Sequence, residues 1–186
     1  MRKIYLLSIV LAIFILCFYI SCTKKSPFDS KEKEEIAANF IGLIQNNDFS
    51  SASKLFHYPS DYSSDQLLED RVGVSNFLEF FNEEFGAILR SKLTKSPHEF
   101  YHVSIFGGDV PYWQKYPKYT SLTYKVEFEK EGEGYLCIHF CDIDNKWEIR
   151  MVMYGLPKSL SNSEAKILEI GSKMMKMLQN LMQDKK

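Results

Sequence analysis

The sequence predicts an α+β fold, with N-terminal helices packed on an antiparallel sheet and one further helix closing the chain. Apolar residues recur at helical spacing between Ser30 and Phe85, they alternate with polar ones between Tyr119 and Tyr154, and a broad apolar stripe follows Gly155-Leu156-Pro157. With 186 residues, 45% of them hydrophobic, the chain suits one domain with an N-terminal appendage.

The appendage starts with Arg2 and Lys3, continues as the apolar run Ile4 to Ile20 interrupted by Ser8, and ends at Tyr19-Ile20-Ser21-Cys22. A basic start, an apolar middle and a small residue before the break make a secretory signal. The tetrapeptide resembles the bacterial lipoprotein lipobox, with Ser21 and Cys22 in place and Tyr19 where an aliphatic residue is usual. That resemblance implies that residues 1–21 are a signal peptide and that Cys22 becomes the acylated N-terminus, the lipid anchor to the membrane. The competing reading is an uncleaved anchor, because the 17 residues from Ile4 to Ile20 reach the lower limit for a bilayer span. Either way the domain lies outside the cytoplasm, in the cell envelope. Residues 22–29 read as a polar tether. Thr23, rather than Asp, follows Cys22, which resembles a lipoprotein sorted to the outer membrane when the host has two membranes.

Asp29 or Ser30 offers a cap to a helix with Glu32, Glu34 and Glu35 early and an apolar face of Ile36, Phe40, Leu43 and Ile44, ending near Asn46-Asn47. Asp48 caps a short helix reaching Leu55-Phe56. Ser63 with Gln66 forms a capping box before Leu67, Leu68, Val72, Phe77, Leu78, Phe81 and Phe85, and Gly73 is read as dividing this run, with Ser75 capping the second part. Phe85-Gly86-Ala87-Ile88 lies at the exit.

The phrase Asn47-Asp48-Phe49-Ser50-Ser51-Ala52, Phe85-Gly86 and the order of elements resemble the nuclear transport factor two-like, or cystatin-like, superfamily. The resemblance implies a cone-like domain over residues 30–158, its helices wrapped by a strongly curved sheet, and residues 159–186 as an added amphipathic helix. Some members of that superfamily are isomerases or dehydratases that hold a Tyr, Asp or His inside the cone. Asp61, Tyr62, His102, Tyr124 and Tyr154 are the counterparts such an enzyme would draw on here.

A first strand is expected from Glu99 to Phe106. The stretch Asp109 to Tyr119 then places Tyr112, Trp113, Tyr116 and Tyr119 among two prolines, a stiff segment suited to binding or to covering a sheet edge. In the meander, Leu122, Tyr124, Val126 and Phe128 face the core. Leu136, Ile138 and Phe140 oppose Tyr135, Cys137, His139 and Cys141 on a strand covered on both faces, and Trp147, Ile149, Met151 and Met153 oppose Glu148, Arg150, Val152 and Tyr154. Ser161 with Glu164 reads as another capping box. The stripe Ile167, Ile170, Met174, Met177 and Leu181, widened by Leu168, Met175, Leu178 and Met182, is expected to cover the outer face of the sheet, or else to meet a second copy or another protein.

Removing Arg2 and Lys3 from 23 basic side chains leaves 21 against 24 acidic ones, a net charge of -3 that disfavours nucleic acid. Cys137 and Cys141, four residues apart on a strand, sit about 13 Å from each other, too far for a disulfide. His139 and either cysteine, about 6.6 Å apart, supply two ligands, and zinc needs more. No metal or cofactor is therefore expected. Hydrolase motifs and phosphate-binding glycine loops are absent. The sequence thus favours a non-catalytic, membrane-anchored envelope lipoprotein that binds a small apolar ligand or an envelope protein partner, a homodimer included. Tyr112, Trp113, Tyr116, Tyr119, His102 and Tyr124 are the binding candidates. A cone-fold enzyme and a structural or assembly lipoprotein are the alternatives.

Overall fold

A computed structural model of the chain describes residues 27–94, 100–106 and 119–183. The signal segment with Cys22, the tether as far as residue 26 and the aromatic segment with Tyr112, Trp113 and Tyr116 lie outside the described residues. The chain divides into the units Met1–Glu32 and Lys33–Lys186, and every element after the first helix belongs to the second.

Helix α1 (Pro27–Gln45) begins earlier than the Asp29 or Ser30 cap predicts, with Pro27 at its first position, where a missing N–H costs nothing. It ends in the αL residue Asn47, and the Asp48 N–H returns to the Leu43 carbonyl at 2.9 Å. Asp48 then caps α2 (Phe49–Ser53), accepting from the Ser51 N–H at 3.0 Å. The Ser63–Gln66 capping box opens α3 (Ser64–Phe85). This helix runs unbroken through Gly73 and Ser75, because Val74, Leu78, Phe81 and Phe85 dock as one stripe and outweigh a propensity cost of about 1 kcal/mol. Gly86 ends α3 at φ +81°, and a Cβ there would lie 2.6 Å from the Lys130 nitrogen.

Five strands follow: β1 (Ile88–Thr94), β2 (Phe100–Phe106), β3 (Tyr119–Phe128), β4 (Gly132–Ile143) and β5 (Lys146–Pro157). They form one antiparallel sheet in the order β1-β3-β4-β5-β2. The meander is as expected. Asp144 and Asn145 both have positive φ, the geometry of a two-residue hairpin turn. β1 is a strand that the sequence reading missed, since its seven residues have the burial pattern of a margin rather than an alternation.

The phase of β5 departs from expectation. Phe140 pairs with Ile149 but His139 pairs with Met151, leaving Arg150 as the extra residue of a bulge. Trp147 and Ile149 face the helices. Beyond the bulge Val152, Tyr154 and Leu156 take that inner face, while Met151 and Met153 move to the outer one. A bulge also bends its strand and increases its twist.

Phe40 of α1, Ala52 of α2, Leu78 of α3 and Ile170 of the C-terminal helix α4 (Ser163–Gln183) share one core cluster with the inner face of the sheet. Thus α4 packs on the inner face of β2 and β5 beside α3, and not on the outer face as expected. Tyr101 donates to Glu164 at 3.2 Å and Lys173 bridges to Glu84 of α3 at 2.9 Å. It starts at Ser163, with the Lys166 N–H bonded to the Asn162 carbonyl, so the predicted Ser161–Glu164 box is out of step by one residue. Ile167 and Ile170 are buried, whereas Leu168 (68% exposed) and Met175 (53%) face away.

Candidate functional site

The inner face, where a cone-fold enzyme would hold its substrate, is filled with side chains. Phe81 and Phe85 of α3 lie 5.1 and 5.7 Å from the Tyr154 ring, and Phe128 lies 4.9 Å from Phe85. All four are at most 1% exposed. Among the described residues the Tyr154 hydroxyl has no hydrogen-bond partner, and burial pushes its pKa up, so the phenol stays protonated. The other residues an enzyme would recruit do not converge on it. Asp61 is exposed in the turn before α3, with Tyr62 beside it, and His102 stands on the outer face of β2.

Of the predicted binding residues, Tyr119 opens β3, opposite Cys141. His102 and Tyr124 are two further binding candidates. They lie on opposite faces of the sheet, because His102 pairs with the outer-facing Gly155 while Tyr124 pairs with the inner-facing Leu136. Tyr124 is buried, and its pKa is raised by that burial and by the nearby Glu34 carboxylate.

What the fold leaves open is the margin of the sheet. From Leu89 to Leu93, five consecutive residues of β1 are exposed, including Leu89 (53%) and Leu93 (37%). Among the described residues nothing pairs with the far edge of this strand. The bulge at Leu89, between the pairs Ile88–Phe128 and Arg90–Glu127, turns that residue out of register. A cleft of about 510 Å3 lies over this corner, lined by Arg90, Lys92, Val126 and Glu133 among others. Its charges are mixed. Arg90 meets Glu127 at 3.5 Å and Lys125 meets Glu133 at 2.7 Å, a hydrogen bond that raises the lysine's pKa. Alternating signs, free backbone groups and two leucines are what a polypeptide strand recognises. The signal in the sequence was faint, since Ile88-Leu89-Arg90-Ser91-Lys92-Leu93-Thr94 has no period of two.

The outer face carries the second group of functional side chains. Cys137 and Cys141 are free thiols, as their spacing requires. Cys137 Sγ lies 3.4 Å from His139 Nε2 and accepts a hydrogen bond from the Thr123 hydroxyl at 3.3 Å. Burial, reinforced by His102, lowers the His139 pKa to about 4, so the ring is neutral at neutral pH. Cys141 donates to the Glu148 carbonyl at 3.8 Å, and burial pushes its thiol up to about 11. Among the described residues no group of three or more His, Cys, Asp and Glu side chains is placed to hold a metal. None of the described helices is long and apolar enough to cross a membrane.

Among the described residues, the fold and site define an α+β protein with an open five-stranded antiparallel sheet, an inner face packed with aromatic rings around Tyr154, and an exposed edge strand. No protein-family model, curated protein or solved structure matches the chain.

Proposed function

We propose that this is a lipid-anchored lipoprotein of the cell envelope that holds a protein partner along the free edge of β1, without catalysis. The observation that carries the reading is the run of five exposed residues on β1, three of which, Arg90, Ser91 and Lys92, line the 510 Å3 cleft. An extended segment of the partner would add to the sheet through backbone hydrogen bonds, with Leu89 and Leu93 supplying apolar contact and Arg90 and Lys92 the register. The filled interior supports a protein partner over a small apolar ligand, because a ligand there would have to displace Phe81, Phe85 or Tyr154. The likeness of Tyr19-Ile20-Ser21-Cys22 to a lipobox supports the location, with an acylated Cys22 making the membrane the standing partner. Outer-membrane placement follows if the host has two membranes.

The test is a photo-crosslinking amino acid at Lys92 of the full chain in its own host, with the same probe at exposed Leu168 as control. One polypeptide adduct from Lys92, absent from Leu168 and lost in Leu89→Asp/Leu93→Asp, is the expected result. Equal labelling from both positions sinks the edge-strand reading. Incorporation of a labelled fatty acid, abolished by Cys22→Ser, tests the anchor separately.

A further inference from the structure

The Arg150 bulge has a chemical result on the outer face. Two short motifs, Cys137-x-His139 on β4 and Met151-x-Met153 on β5, are brought face to face. His139 pairs directly with Met151 and Cys137 with Met153, so four donor side chains stand at the corners of one cell of the sheet. Directly paired residues on adjacent antiparallel strands have Cβ atoms about 5 Å apart, within reach of one ion. Cys137 Sγ and His139 Nε2 are already 3.4 Å from each other. Cys137 and Met151 are each 5% exposed, while His139 and Met153 are half-buried.

The geometry points to a binding site for a soft monovalent cation, Cu(I) or its analogue Ag(I), made by Cys137, His139, Met151 and Met153. One thiolate, two thioethers and one imidazole select Cu(I) over harder ions, because thioether sulfur contributes little to Zn(II) and nothing to Mg(II) or Ca(II). Without the register shift at Arg150, Met151 and Met153 would lie on the inner face and the donors would be split between the two sides of the sheet. The Thr123 hydroxyl, which donates to the Cys137 sulfur, is placed to support the thiolate as an outer-shell partner does. On binding, the Cys137 proton leaves to solvent and copper remains Cu(I), so no electron is transferred. This site is independent of the β1 edge.

The test titrates Cu(I), kept reduced with ascorbate, into the detergent-solubilised full chain against a chromophoric Cu(I) chelator. A Cys17→Ser/Cys22→Ser background removes the N-terminal thiols from competition. One equivalent should be held, with tenfold excess Zn(II) failing to displace it. Met151→Leu and Met153→Leu conserve volume, and each should weaken binding by about tenfold or more, as should Cys137→Ser, while Cys141→Ala binds like the parent. Copper-edge X-ray absorption should show sulfur and nitrogen neighbours, with one sulfur lost in Met153→Leu. Failure to retain one equivalent, unchanged affinity in both methionine variants, or displacement by Zn(II) overturns the site.

Discussion

At the scale of single residues, the half-buried His139 and the buried Tyr154 carry measurable consequences. His139 is neutral in the native state down to about pH 4, whereas in the unfolded chain it takes up a proton below about 6.5. Between those values the unfolded state binds more protons, so stability falls as the pH drops through that window and levels off beneath it. With allowance for its partial solvent access, the loss should be roughly 1–2 kcal/mol. Denaturant unfolding at pH 7 and pH 4.5 should show that much less pH dependence in His139→Gln. A variant as acid-sensitive as the parent would place the effect elsewhere. Tyr154 makes the opposite point, because its hydroxyl has no partner among the described residues and removing it leaves none of them unsatisfied. Tyr154→Phe should leave stability unchanged or raise it by up to about 1 kcal/mol in thermal unfolding. A clear loss would reveal a bound water or ligand inside the fold.

At the scale of elements, local chemistry was legible where both partners lie within one turn. The Ser63–Gln66 box, the Asp48 cap and the Asp144-Asn145 turn follow from residues that can be read side by side. Gly73 misled for a related reason. Its helix-breaking tendency is local, but α3 is held by a stripe of side chains that only the packed core rewards. A Cβ at Gly73 meets nothing within 4 Å, so Gly73→Ala should stabilise the protein by about 0.5–1 kcal/mol, read as a shift in the denaturant midpoint at constant slope. No rise in stability would mean that the glycine is needed for something other than the helix. The β5 bulge was not legible. A period of two continues unbroken through Ile149, Arg150 and Met151 in the sequence, and the slip exists only relative to β4.

At the scale of the whole molecule, the helices converge on one core, and the C-terminal helix is part of it. Ile170 is fully buried against the inner face, while Leu168, two residues earlier, is 68% exposed. Ile170→Ala should therefore cost about 2–5 kcal/mol and Leu168→Ala less than about 0.5 kcal/mol. If Leu168→Ala were the more damaging, the helix would have to be turned toward a partner. The filled interior also separates the fold from the function proposed on its edge, since the site lies on a strand that contributes little to the core. Substitutions at Leu89 or Leu93 should accordingly change partner capture with little change in melting temperature.

The sequence by itself determined the fold class, the meander, the Asp48 cap, the Ser63–Gln66 box and the burial of Ile167 and Ile170 in the last helix, because each depends on neighbours a few residues apart. Only the tertiary structure decided that β1 lies at one margin and β2 at the other, that α4 joins α3 on the inner face, and that Met151 and Met153 face Cys137 and His139. Those outcomes depend on strand order and register, which arise from contacts distant in sequence and leave no period along the chain.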